Sequence, residues 1–169
     1  MRKGTKGEAA RYIAAPAETV YDLVADVTRM SEWSPECVRC EWIGGATGPE
    51  VGVRFKGSSK RGWVRWSTRP RVITADRPRA FGFVTTHRGH HETMWTYRFT
   101  PQGHGTTVTE TFEMLADLPW YLRLVERLAM GVKDRKSDLQ AGMAETLRRL
   151  GATAEAEHLA APPLQAKEA

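Results

Sequence analysis

Residues 91–100 read His91-Glu92-Thr93-Met94-Trp95-Thr96-Tyr97-Arg98-Phe99-Thr100, and their alternation decides the architecture. Thr93, Trp95, Tyr97 and Phe99 share one parity and are rich in rings; Glu92, Met94, Thr96 and Arg98 share the other. Successive strand side chains point to opposite faces, so the pattern predicts a strand with its aromatic side turned inward. The flanking segments follow suit. Val53, Phe55 and Gly57 point in, while Arg54 and Lys56 point out. Val64, Trp66, Thr68 and Val72 oppose an outward set of Arg65, Ser67, Arg69 and Arg71. Phe81, Phe83 and Thr85 are inward on the next strand, and Val108, Glu110, Phe112 and Met114 share a face on the last.

Working outward, period two predicts a first strand over 8–14 and six more near 38–43, 51–58, 63–74, 79–87, 91–100 and 106–114. Gly44-Gly45, Lys60-Arg61-Gly62, Asp76-Arg77-Pro78, Gly89 and Gln102-Gly103-His104-Gly105 fall where turns are needed. Links this short make sequential strands antiparallel, because a parallel pair needs a long crossover. Between the first two strands, Pro16 opens a short helix whose Val20, Leu23, Val24 and Val27 recur at helical spacing. A second short helix near 28–33 stops at Ser34-Pro35. After Leu118-Pro119 the helical period returns: Tyr121, Val125, Leu128, Val132, Leu139, Met143, Leu147 and Leu150 form one stripe, interrupted by the polar stretch 133–138. A sheet with one apolar face needs a cover, and this long helix is the only element large enough.

These elements carry a family likeness. Ile13-Ala14-Ala15-Pro16 leads to Val20-Tyr21, followed by Asp26-Val27, Trp33-Ser34-Pro35-Glu36 and Val51-Gly52-Val53-Arg54-Phe55-Lys56-Gly57. Then come Trp66-Ser67-Thr68, Trp95-Thr96-Tyr97-Arg98-Phe99-Thr100-Pro101, Gly105-Thr106-Thr107-Val108-Thr109-Glu110, and Gly142-Met143 with Thr146-Leu147. In this order they resemble the polyketide cyclase/dehydrase-like branch of the START and birch-pollen-allergen superfamily, over roughly residues 8–150. The resemblance implies an α+β helix-grip fold: a seven-stranded curved antiparallel sheet wrapped around a long C-terminal helix, with two short helices after the first strand. It also implies a cavity between sheet and helix for a hydrophobic ligand. It does not imply one activity, since such folds host cyclases, lipid carriers, receptors and co-chaperones.

The chain divides into a disordered arm over 1–7, the ligand-binding domain over 8–150, and a helix end with a flexible tail over 151–169. With 169 residues, 41% hydrophobic and 27% charged, the composition is that of a folded domain rather than a disordered chain. Mean hydropathy is −0.48 and no apolar run approaches the roughly 20 residues of a membrane span, so integral membrane association is not expected. The basic start leads into no apolar signal region. Two cysteines make no disulfide framework, so a reducing cytoplasm is the expected compartment. Net charge is +5, and residues 54–90 hold 10 basic side chains against one acid, Asp76. The strand parity puts most of those arginines on the outer sheet face.

The inner face carries Phe55, Trp66, Phe83, Trp95, Tyr97 and Phe112, with Trp33 nearby. Thr68, Thr85, Tyr97 and Glu110 add polar groups that a dry core would leave unsatisfied. Gly131 and Gly142 weaken the long helix, as expected where it leaves room. These ten residues, Trp33 through Phe112, are the expected ligand-binding set. Glu110, with its carboxyl raised by burial and bonded by Tyr97 or Thr68, is the candidate acid or base. Tyr97 and His87 are its candidate companions, and a buried carboxylate with a purely structural partner is the competing reading.

Other motifs weigh less. Cys37-Val38-Arg39-Cys40 lacks a second pair for zinc, and strand positions three apart put its sulfurs on opposite faces. His87, His90, His91 and Glu92 cluster at a hairpin without a firm ligand spacing. No metal or other cofactor is expected. Phosphate-loop, dinucleotide and nucleophile-elbow motifs do not occur. The expected partner is a hydrophobic small molecule such as a lipid, polyketide or aromatic metabolite. A cyclase/dehydratase-type lyase is the alternative, and an anionic surface bound by the outer arginines is the second. Nucleic acid is disfavoured because the tryptophans and phenylalanines interleave on the inner side, and a homodimer is compatible with the sequence.

Overall fold

The computed structural model describes residues 1–87, 91–117, 120–121, 128, 131 and 134–161, without the side chains of His87, His91 and Glu92. The chain runs β1 (Lys6–Ile13), α1 (Ala17–Ala25), a 3-10 helix (Val27–Glu32), β2 (Cys37–Ile43), β3 (Arg54–Arg61), β4 (Val64–Thr68), β5 (Arg71–Asp76), β6 (Ala80–His87), β7 (His91–Gln102), β8 (Gly105–Met114) and α2 (Arg135–Ala160). Seven strands form one antiparallel path, β1-β8-β7-β6-β5-β3-β2, and β4 pairs with β3 off it. α2 lies along β1, and its Leu147, Leu150 and Ala154 join the sheet's inward residues in the main core. This is the expected α+β helix-grip architecture.

Where the reading and the structure differ, local chemistry explains it. The single strand expected over 63–74 breaks at Arg69-Pro70: proline has no N–H for a ladder, so β4 stays with β3 and β5 turns to β6. The arm expected over 1–7 is ordered at its inner end. Lys6 and Gly7 already pair with Glu113 and Phe112, the Gly4 N–H reaches the Met114 carbonyl at 2.7 Å, and the Lys3 N–H reaches Asp117 Oδ1 at 2.7 Å. The stripe from Tyr121 to Leu150 is not one helix. Gly131 takes a left-handed φ of 68°, and Asp134 is extended and caps α2 by accepting from the Lys136 N–H at 3.0 Å. Gly131 therefore lies outside α2 and does not weaken it. α2 continues to Ala160, and the tail expected after the helix end falls on residues 162–169, which lie outside the described residues.

Two close approaches seat α2 and β1. A Cβ on Gly151 would stand 3.3 Å from Arg11 Nε on β1, and one on Gly7 would run into the Phe112 ring and stand 3.2 Å from Gln140 Cγ on α2. α1 packs inside the curl, where Tyr21 sets its edge on Phe81 and Phe99 at centroid distances of 6.4 and 5.6 Å. At the other end, Arg61 on β3 binds Asp138 on α2 through both terminal nitrogens (2.6 and 2.5 Å) and Glu36 at 2.9 Å, while Arg135 joins Asp138 at 2.7 Å. This clasp ties the start of α2 to the β2–β3 wing.

Candidate functional site

Cross-strand register sorts the inward side chains into rows. Phe83, Trp95, Phe112 and Gly7 form one, and Phe81, Tyr97, Glu110 and Ala9 form the next. Thr85, Thr93 and Met114 follow. On the far wing Trp42 faces Phe55, Cys40 faces Gly57 and Thr68, and Cys37 faces Ser59 and Trp66. Residues directly opposite share a face, so the expected inward set is inward as a set. Phe55, Phe83, Tyr97, Glu110, Phe112 and Trp33 are buried; Trp66, Thr68, Thr85 and Trp95 are half-buried. Trp33 enters from the end of the 3-10 helix with the Arg29 guanidinium 5.9 Å from its ring centre. His90 lies outside the described residues, and the side chains of His87, His91 and Glu92 are not described, so the expected histidine cluster is outside what the structure describes.

Glu110 and Tyr97 are directly opposite, and the Tyr97 hydroxyl donates to Glu110 Oε1 at 2.7 Å. Thr68, the other expected donor, lies instead on the far wing against Gly57 and Cys40. Glu110 Oε2 is buried with no hydrogen-bond partner among the described residues. Burial pushes the Glu110 carboxyl up to about 8, against the smaller downward pull of the Tyr97 hydrogen bond. Burial first, then the neighbouring carboxylate, pushes the Tyr97 hydroxyl well above its ordinary value. Near neutral pH the pair is therefore largely a neutral phenol and a neutral acid. The acid has one oxygen accepting from Tyr97 and its second oxygen free to donate to a carbonyl, or, once ionised, to accept from a hydroxyl.

Two cysteines join this surface against expectation, and Thr93, expected on the inner face, was left out of the ligand-binding set. Thr93 is 6% exposed and its hydroxyl meets Met114 Sδ at 3.3 Å; its parity was the available signal. Cys37 and Cys40 both face inward with their sulfurs 3.4 Å apart, contrary to the expectation of opposite faces. The cause is a register shift between Cys37 and Arg39, which leaves Val38 unpaired and reverses the parity.

Two open grooves among the described residues lie elsewhere. One, of about 560 Å³, runs between α1 and the loop before β3, lined by Tyr21, Asp22, Trp42, Pro49, Ala75 and Arg77. The other, of about 610 Å³, is on the outer sheet face between Arg54, Arg69, Arg71, Val84 and Thr86. Under α2, Phe112, Met114 and Met143 pack with Trp95 and Leu139, whereas a Cβ on Gly142 would meet nothing within 4 Å.

Comparison with known proteins gives a consistent relationship. A family model described as polyketide cyclase/dehydrase and lipid transport matches residues 5–155. The solution structure of a polyketide-cyclase-like protein from Corynebacterium glutamicum is 34% identical, covers 93% of this chain and 95% of that one, and superposes with a TM-score of 0.60. A Thermus thermophilus protein at 22% identity (90% and 99% covered, TM-score 0.65) shares the fold. So does the ginseng major latex-like protein 151 of Panax ginseng at 16% (92% and 97% covered, TM-score 0.62). A search of curated proteins finds no match.

Proposed function

Since the chain belongs to the polyketide cyclase/dehydrase and lipid transport family, we propose that it binds a hydrophobic small molecule on the concave face, under α2. A lipid, a polyketide or another aromatic metabolite has the required chemistry, and a reducing cytoplasm is the proposed setting. One observation carries the reading: Glu110 Oε2 is buried without a hydrogen-bond partner among the described residues, in the same cross-strand row as Tyr97 and Phe81. Buried polar atoms nearly always find partners, and a ligand carbonyl or hydroxyl supplies this one. The rings contribute apolar burial, and the acid fixes orientation.

Native mass spectrometry of freshly purified protein tests the proposal. The expected result is a bound species or uptake of a long-chain fatty acid or polyaromatic probe, with affinity falling about tenfold in Glu110→Leu, the loss of one buried hydrogen bond. A protein that stays empty against a panel of fatty acids and polyaromatic compounds overturns it.

A second reading has an observation of its own. A carboxyl poised near neutrality can both give and take a proton, as ring closure and water loss from a poly-keto chain require. Under that reading Glu110→Gln and Tyr97→Phe, combined, abolish turnover while binding persists. Unchanged turnover removes both assignments.

A further inference from the structure

We propose that Cys37 and Cys40 are a redox-active dithiol that closes to an intramolecular disulfide by exchange with a small external disulfide. The inference goes beyond ligand binding and does not depend on it. Its basis is the bulge in β2. Cys37 is opposite Ser59, Arg39 is opposite Ser58 and Cys40 is opposite Gly57, so Val38 is the extra residue. Both cysteines thereby join the face of Phe55 and Gly57, with Sγ atoms 3.4 Å apart. From that contact the sulfurs need to close only to the bond length of about 2.05 Å, a movement within reach of side-chain rotation on one strand.

The surroundings assign the order of events. Cys37 is half-buried and reachable, whereas Cys40 is 5% exposed and backed by the Met30 thioether at 3.9 Å. Gly57 is opposite Cys40, and a Cβ there would stand in ordinary contact, 3.5 Å from Cys40 Sγ and 3.4 Å from Thr68 Oγ1. The sulfur–sulfur contact lowers the Cys37 thiol, and the same contact with burial raises Cys40, as an attacking and a resolving thiol require.

The exchange balances without further reagents. Cys37 loses its proton and its thiolate attacks one sulfur of the external disulfide, expelling one thiolate. Cys40 then loses its proton, attacks the Cys37 sulfur and expels the second thiolate. Two protein thiols are oxidised, one external disulfide is reduced, and the two protons end on the two released thiols.

The test uses the folded full-length chain in glutathione buffers of increasing oxidised fraction, quenched with iodoacetamide and weighed intact, with circular dichroism read alongside. The expected result is loss of both thiols together, a species two hydrogens lighter with no glutathione attached, and an unchanged fold. Cys40→Ser accumulates one stable glutathione adduct at Cys37, and Cys37→Ser stays unmodified. Any of four results overturns the proposal: a lasting adduct on the native chain, a disulfide between two chains, both thiols still alkylated at the most oxidising ratio, or a bond that appears only with unfolding.

Discussion

At Glu110 the energetics of one side chain set a pH dependence for the whole chain. Its carboxyl titrates near 4.5 when unfolded and about 8 when folded. Between those values the native state holds the proton and the unfolded state does not, so stability falls as pH rises through this window. The contribution is complete below pH 4.5 and gone above about 8. Urea denaturation across that range should lose on the order of a few kcal/mol from this group, and Glu110→Gln should flatten the slope. Tyr97→Phe strips the carboxyl of its donor. It should destabilise the fold by about 1–3 kcal/mol and move the Glu110 titration, followed by carbon NMR, further upward. Strand parity alone was enough to place both residues on the inner face. Which donor reaches Glu110 was not legible, because Tyr97 and Thr68 have the same parity and only the strand order separates them.

At the scale of elements, turns and close approaches carry the predictions. Gly105 opens β8 where a Cβ would run into the Ile13 carbonyl and the Tyr12 ring. Because backbone cannot yield as a side-chain end can, Gly105→Ala should lower the urea midpoint by an amount equivalent to about 1–3 kcal/mol. The Arg61–Asp138 clasp is partly sheltered, and it joins elements 77 positions apart. Arg61→Ala should loosen the start of α2, seen as faster amide exchange over its first two turns with β6–β8 unchanged. Neither contact was legible beforehand. Arg61 reads as a turn residue, and its partner lies in a polar stretch whose role depends on where α2 begins.

Over the whole molecule, the basic block sorts by neighbourhood rather than by composition. Arg61, Arg77 and Arg79 are paired with Asp138, Asp22 and Asp76, but Arg54 and Arg71 stand directly opposite each other on the outer face. Like charges in that register repel, so Arg71→Thr should raise the melting temperature in low salt and lose the gain in high salt. No helix among the described residues is long and apolar enough to cross a membrane. Period two, the short turns and the final helical stripe were sufficient by themselves to determine an antiparallel sheet with an aromatic inner face and a helical cover, because burial of one face imposes that pattern on any chain. Tertiary structure alone decided that Val38 is skipped so that two sulfurs meet, that Pro70 ends one pairing and begins another, and that one Glu110 oxygen has no partner among the described residues. Those outcomes depend on which strand lies beside which, information that a neighbouring strand supplies and local spacing does not contain.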